Sequence, residues 1–263
     1  MEIHCIFQMV GFGAVWVSLL MAILWVKQVF TKNAGEVDLG WTIALFIMTM
    51  VYFIFANGYL TRKIIILVLV GLWAARLGLY LAGRIAREKK EDARYQKIRA
   101  QWQNNVQLKF FLFYQLQALT AVVLSTPFLI ISLNASARAA IIEWLGVGIW
   151  VLGFIGEFAA DDQLRRFKQD PQNKGKTCQV GLWQYSRHPN YFFEWLMWVG
   201  YFVLALGSSW GWLAMIAPAF MLYFLLKVSG VPLAEEQSLR SRGEEYREYQ
   251  RTTSVFVPLP RRK

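Results

Sequence analysis

Histidine and cysteine are scarce in this chain, with two of each among 263 residues. His4 and His188 stand far apart and no Cys-x-x-Cys pair occurs, so the ligand set of a classical zinc site is missing and no metal is expected. No Gly-x-Gly-x-x-Gly run follows a candidate strand, and Gly146-Val-Gly148 lies inside an apolar stretch. A nucleotide would therefore have to be held by helix ends and loops instead of a Rossmann unit. The first apolar stretch has neither a basic segment ahead of it nor a small-residue cleavage pattern behind it, so it reads as a retained span and not as a removable signal peptide. Acidic residues are also few, 17 against 28 Lys and Arg, which makes the distribution of the basic excess informative.

Apolar side chains are abundant. Hydrophobic residues make up 56% of the chain and aromatics 16%, and this composition fits a polytopic membrane protein better than a soluble one. Runs of about 18 or more apolar residues mark candidate spans, and seven are readable: 6–26, 40–57, 64–83, 109–133, 139–159, 190–207 and 211–229. The expected fold is all-α, an integral membrane protein of about seven transmembrane helices with cytoplasmic interfacial helices. Basic residues concentrate at 84–109, 165–187 and 240–263, while the intervening loops hold only Arg62 and Lys63, then Arg138, then none. The positive-inside rule then predicts an outside N-terminus and a cytoplasmic C-terminus. So distributed, the basic residues serve topology, lipid headgroups or cofactor phosphates, and no nucleic-acid partner is expected. Cys5 and Cys178 would fall on opposite sides of the bilayer and could not be bridged.

Between the spans, 84–107 is highly charged and free of Gly and Pro, so the third span is expected to continue into a solvated or interfacial helix. The most informative stretch is Gly181-Leu-Trp-Gln-Tyr-Ser-Arg-His-Pro-Asn-Tyr-Phe-Phe-Glu194, a basic loop that runs into an apolar helix. Pro189 suits the first helical position, and Ser186 or His188 could cap it. Arg187 and His188 beside that helix N-terminus form either a phosphate site or a headgroup anchor. Asn190 and Glu194, four apart, share a face that must meet protein and not lipid.

The fifth span carries a similar stripe. Glu157, Asp161, Arg165 and Lys168 run out toward the cytoplasm, and a solvated helix end would explain Arg165 and Lys168 but not Glu157. Arg76, inside the third span, either snorkels to the interface or turns inward. Asp38, at the mouth of the second span beside Trp41, is either a first-turn aspartate favoured by the helix dipole or a functional acid. The polar tail 234–249 is expected to be helical apart from Gly243, and either solvated or folded back over the cytoplasmic mouth. Most of the twelve tryptophans suit the interfacial aromatic belt.

These residues carry a resemblance. The run from Gly181 to Glu194, preceded by Asp161-x-x-Leu-Arg165 and followed by Tyr246-x-x-Tyr249, resembles bacterial membrane proteins related to the C-terminal domain of steroid 5α-reductases. Val37-Asp-Leu-Gly-Trp41, Leu72-Trp-x-x-Arg76 and Glu91-Asp-x-Arg-Tyr95 extend the likeness over nearly the whole chain, although each is individually weak. The resemblance implies a protein of the bacterial inner membrane forming a single transmembrane domain, with 1–135 on the substrate side and 136–263 on the cofactor side. It implies NADPH entering from the cytoplasm and reduction of an activated carbon-carbon double bond in a lipid or steroid-like substrate.

Position by position, Glu157 falls where steroid reductases carry a cofactor-binding Asn, and Lys168 where they carry a phosphate-binding Arg. Asp161 and Asn190 match cofactor-binding residues, and Glu194 matches an active-site Glu. Arg242 replaces a Tyr of the tail, near Tyr246. The expected site thus has Glu194, Tyr191 and Asp38 as catalytic residues, with Arg76 and Trp41 toward substrate. Glu157, Asp161, Arg165, Lys168, Arg187, His188, Asn190, Arg242 and Tyr246 are expected toward the cofactor.

The same loop, with Glu235-Glu236, Gly243, Tyr246 and Tyr249, also resembles isoprenylcysteine carboxyl methyltransferases, which would make S-adenosylmethionine the cofactor. A non-enzymatic lipid-binding protein, whose polar residues only lock helices together, is the third expectation. Asn190 and the Asp161-to-Arg165 segment favour the reductase.

Overall fold

The computed structural model describes residues 3–87, 91–102 and 104–261, and among them the secondary structure is helical apart from one isolated bridge between Ser186 and Ser254. Six helical stretches are long and apolar enough to cross a membrane by length and composition: Ile3–Thr31, Val37–Phe55, Leu60–Arg87, Val106–Leu133, Ile141–Gln169 and Gly211–Arg242. The chain is accordingly read as an integral membrane protein. The remaining expected span, 190–207, forms the helix Pro189–Ala205, whose 17 residues stand at the lower end of the length that crosses a hydrocarbon core.

The chain divides into two units. The first comprises residues 1–139 with 208–216, and the second 140–207 with 217–263. The first contains α1 (Ile3–Thr31), α2 (Val37–Phe55), α3 (Leu60–Arg87), α4 (Ala93–Gln101), α5 (Val106–Leu124) and α6 (Thr126–Leu133), with a 3-10 turn at Gly211–Met215. The second contains α7 (Ile141–Gln169), α8 (Pro189–Ala205), α9 (Ile216–Tyr223), a π-helical turn at Phe224–Val228, α10 (Val231–Arg242) and α11 (Glu244–Thr252).

In the first unit, polar side chains on apolar helices pair across seams, as they must where no water satisfies them. Ser18 Oγ donates to Gln115 Oε1 at 2.6 Å and Gln28 Nε2 to Gln107 Oε1 at 2.7 Å, joining α1 to α5. Trp41 Nε1 donates to Thr120 Oγ1 at 3.1 Å, joining α2 to α5. At the end where α2 begins and α3 stops, Asp38 accepts from Tyr95 at 2.7 Å, from Arg94 at 2.7 Å and from Arg84 at 3.4 Å. Glu91 Oε1 likewise takes Arg99 at 2.8 Å and the Ala34 amide at 2.9 Å.

The expected unbroken helix through 84–107 is not what forms. Residues 88–90 lie outside the described residues, and beyond them Asp92, with non-helical backbone angles, caps the separate helix α4 by accepting from the Arg94 amide at 2.9 Å. Capping satisfies an amide that the helix itself leaves open, so one aspartate suffices to start a new helix in a strongly helix-favouring sequence. Burial pushes the Asp92 carboxyl up, but hydrogen bonds from Arg94 and the charges of Arg94 and Arg84 outweigh it and hold the group below its ordinary value.

The second unit is built on the antiparallel pair α7 and α8, which approach so closely that glycines line the seam. A methyl group on Gly153 would lie 2.9 Å from Met197 N, one on Gly200 would lie 2.7 Å from Trp150 N, and one on Gly146 would strike the Leu204 backbone. Small residues let helix backbones meet at van der Waals distance, the main attraction available between helices in lipid. The register that opposes 146 to 204 and 153 to 197 continues toward the cytoplasmic side expected from the charge pattern. It sets Glu157 level with Glu194 and Asp161 level with Asn190.

Two outcomes follow for unfolding in mild detergent. Gly153→Leu or Gly200→Leu should lower stability by about 1–3 kcal/mol through overpacking, whereas Gly148→Leu, whose added Cβ meets nothing within 4 Å, should stay within about 0.5 kcal/mol. Because the folded Asp92 carboxyl lies below its ordinary value, its contribution is complete above the unfolded aspartate value of about 3.9 and drains away as pH falls below it. Asp92→Asn should therefore flatten the acid limb of a stability-versus-pH curve between about pH 5 and 2.

Candidate functional site

At one end of the α7–α8 seam, Asn190 Nδ2 donates to Asp161 Oδ1 at 3.2 Å. This cross-helix pair joins two residues that the sequence reading placed in the same site. One turn deeper, Glu157 and Glu194 are both buried, at 8% and 9% exposure. Trp198, one further turn along α8, donates its indole N–H to Glu194 Oε1 at 2.9 Å and packs edge-on against Tyr201 with ring centroids 5.6 Å apart. Buried carboxyl groups in an apolar helix pair are costly, which is why they mark sites more often than they mark packing.

The loop feeding α8 is held from three sides. Gly181 adopts a left-handed φ of 56°, and an added Cβ there would collide with Gln163, whose Oε1 accepts from the Leu182 amide at 2.8 Å. Trp183 donates its indole N–H to Ala160 O at 2.9 Å, so the loop begins against α7. Tyr249 of α11 donates to the carbonyls of Trp183 and Ser186, the latter at 3.1 Å. The segment beyond α11 runs alongside: Arg187 N donates to Ser254 O at 2.8 Å and Ser186 Oγ to Phe256 O at 2.8 Å. Ser186 Oγ also accepts from His188 N at 3.1 Å, fixing the loop just before Pro189 opens the helix. Neither Ser186 nor His188 makes the expected side-chain cap, because His188 is the N-cap residue and has no capping hydrogen bond.

Around Arg187 and His188 a second polar cluster closes onto one carboxylate. Glu235 accepts from Arg187 Nε at 2.6 Å, from Gln250 Nε2 at 2.7 Å, from the Tyr246 hydroxyl at a long 3.5 Å, and lies 3.3 Å from His188 Nε2. Arg187 also donates to the carbonyls of Gln250 and Thr253 at 2.9 and 2.7 Å, at the C-terminal end of α11, where a cation complements the helix dipole. The His188 ring stacks on Tyr191 at 5.4 Å. Burial, and next the charge of Glu235, push the Tyr246 hydroxyl up to about 12, so it stays a proton donor at neutral pH.

The remaining expected cofactor residues separate. Arg165 is exposed and pairs with Asp162 on its own helix. Lys168 and Arg242, distant in sequence, both act on Cys178: burial raises that thiol, while a backbone hydrogen bond at Val180 and the charges of Arg242 and Lys168 pull the other way. Among the described residues no acidic side chain pairs with either cation, and Arg242 reaches Ser238 Oγ at 3.4 Å. Asp38, Trp41 and Arg76 belong to the first unit. There Asp38 is engaged by Arg84, Arg94 and Tyr95, Trp41 lies edge-on to Trp73 at 6.0 Å, and Arg76 is half-buried in α3.

Sequence reasoning left out of the site Gln250, Trp198 and the glycines of the α7–α8 seam. The seven-residue spacing of Gly146 and Gly153 was the available signal for the seam, and the i, i+4 spacing of Glu194 and Trp198 for the indole contact. Glu235 entered only through the resemblance to methyltransferases, not among the residues expected toward NADPH.

A family model described as a protein of unknown function, DUF1295, matches residues 24–253. An uncharacterised protein of Schizosaccharomyces pombe, C594.04c, is 28% identical over 213 residues, which cover 71% of this chain and 62% of the yeast protein. The chain thus spans less than two thirds of that relative's length. No solved structure matches. Since the matched stretch takes in the α7–α8 pair, the loop from Gly181 to His188 and both tail helices, the chain belongs to the DUF1295 family.

Proposed function

We propose that the protein is a membrane-embedded NADPH-dependent reductase of an activated carbon-carbon double bond in a lipid or steroid-like substrate. The observation that carries this reading is the Asp161–Asn190 pair across the α7–α8 seam, with the buried Glu157 and Glu194 one turn deeper and Lys168 about two turns, roughly 10 Å, farther along α7. Lys168 and Arg242, which pair with no acidic side chain among the described residues, suit phosphate groups, and an amide beside a carboxylate suits ribose hydroxyls or a carboxamide. This donor set fits NADPH, which when bound supplies a hydride.

The chain's own residues then have separable tasks. Lys168 and Arg242 hold phosphate, and Asp161 and Asn190 orient the sugar or amide end. Glu194, its Oε1 fixed by Trp198, presents a carboxyl where charge develops on a conjugated carbonyl oxygen during β-carbon reduction. Either Glu194 or Tyr191 delivers the proton to the α-carbon. Orientation follows the positive-inside pattern, with the α8 N-terminus cytoplasmic and the protein in a bacterial inner membrane.

A second reading, methyl transfer from S-adenosylmethionine, is favoured by one contact. Glu235 of the tail meets Arg187 and His188 of the loop, joining the two segments on which the motif resemblance to isoprenylcysteine carboxyl methyltransferases rests.

Thermal unfolding of the purified protein in detergent decides between them. NADPH at about 100 times its dissociation constant should stabilise by about 2.7 kcal/mol, and NADH less, for want of the extra phosphate. Lys168→Glu should weaken NADPH binding at least tenfold, about 1.4 kcal/mol, and Asn190→Ala should weaken it as well. Protection by S-adenosylmethionine without protection by NADPH would replace the reductase with the methyltransferase. Protection by neither, with Asn190→Ala and Glu194→Gln lowering stability alone, would leave a lipid-binding protein.

A further inference from the structure

Helix α10 is held differently from its neighbours. Val231 is its one buried residue, whereas the shorter α11 buries both Tyr246 and Tyr249. Glycine bounds α10 on either side, Gly230 before it and Gly243 after it, the latter at a left-handed φ of 57°. Just upstream, Phe224–Val228 is π-helical, a local break in the α ladder of a kind frequent at functional sites. A helix with one fully buried side chain and a half-buried face therefore sits between a distorted turn and a glycine joint. Segments with little apolar burial open at lower free energy than the core to which they are attached.

Its fastening to the loop is the Glu235 side chain, and Ser238 adds one hydrogen bond to the Tyr246 hydroxyl of α11. The donors that receive this carboxylate, Arg187, His188, Tyr246 and Gln250, all lie on the loop, the α8 N-cap and α11. Those elements are secured to one another without α10, through Tyr249 to Trp183 and Ser186, and through Arg187 to Gln250, Thr253 and Ser254. Withdrawing α10 would leave the cluster of donors standing and empty.

We propose that α10 is a latch on the site. It swings about the 224–230 turn and Gly243, and the Glu235 carboxylate holds it shut. While it is shut, Arg187 and His188 are occupied by a carboxylate of the chain itself. An anionic ligand that uses either group has to meet the open form, whose population sets its apparent affinity. The latch goes beyond the proposed reductase and holds for any anionic ligand of this loop.

Amide hydrogen exchange of the full chain in detergent, without added cofactor, tests it. In the wild type, amides of 231–242 should exchange faster than those of 244–252. Glu235→Gln should speed exchange across 231–242 at least tenfold and leave α11, α7 and α8 unchanged. Gly230→Ala provides an independent arm, because its Cβ would lie 2.6 Å from Leu225 O in the shut position. It should release α10 in the same way with the carboxylate intact. Unchanged exchange in 231–242 for both variants would overturn the latch, as would acceleration spread equally over α11 and α8. Since no cofactor is present, failure of the latch is distinct from failure of the reductase reading.

Discussion

The second unit depends on the approach of two helix backbones. Where Gly146, Gly153 and Gly200 let α7 and α8 touch, the register of the pair is fixed, because each glycine accepts one opposing backbone segment and no side chain can slip between. That register decides which polar residues meet. Asp161 faces Asn190, and the two buried glutamates share a level. Displacing one helix by a turn would separate all four and leave buried polar groups without the company that makes them tolerable. The apolar packing is thus a condition for the polar site, and the glycines act on chemistry that they never touch.

Electrostatics follow the same division. Three acids and an amide lie in the seam, cations gather farther out on α7 and at the end of α10, and the loop's own arginine is neutralised by Glu235. Charge therefore grades from acidic within the seam to basic beyond it. A ligand with phosphates at one end and a neutral reactive ring at the other matches that gradient, and a compact cation would match only its inner part.

Much of this was legible in the sequence, for definite reasons. Apolar runs announce helices because length and hydropathy together leave few alternatives. The stripes from Glu157 to Lys168 and from Asn190 to Glu194 were visible because helical periodicity maps spacing onto a face. Contacts that join elements distant in the chain were not legible. Glu235 reaching Arg187, and the charges of Lys168 and Arg242 both bearing on the Cys178 thiol, depend on how turns and glycine joints aim short helices, which no local pattern encodes. The break at Asp92 was missed because helix propensity summed over 84–107 outweighed a single capping residue, although capping acts at one position and is not averaged. Where α8 would end was also not legible: the helix stops at Ala205 and leaves Leu206 and Gly207 of the apolar run outside it.

One further feature bears on how the molecule is made. Residues 208–216 belong with the first unit although the sequence reaches them only after α7 and α8. During synthesis the first six helices emerge lacking a piece of their own fold, and the helical hairpin of α7 and α8 is inserted before that piece arrives. Neither half can be obtained by a single cut. Biogenesis is therefore interleaved, with the first unit completed only once the ribosome has passed the hairpin that carries the polar site.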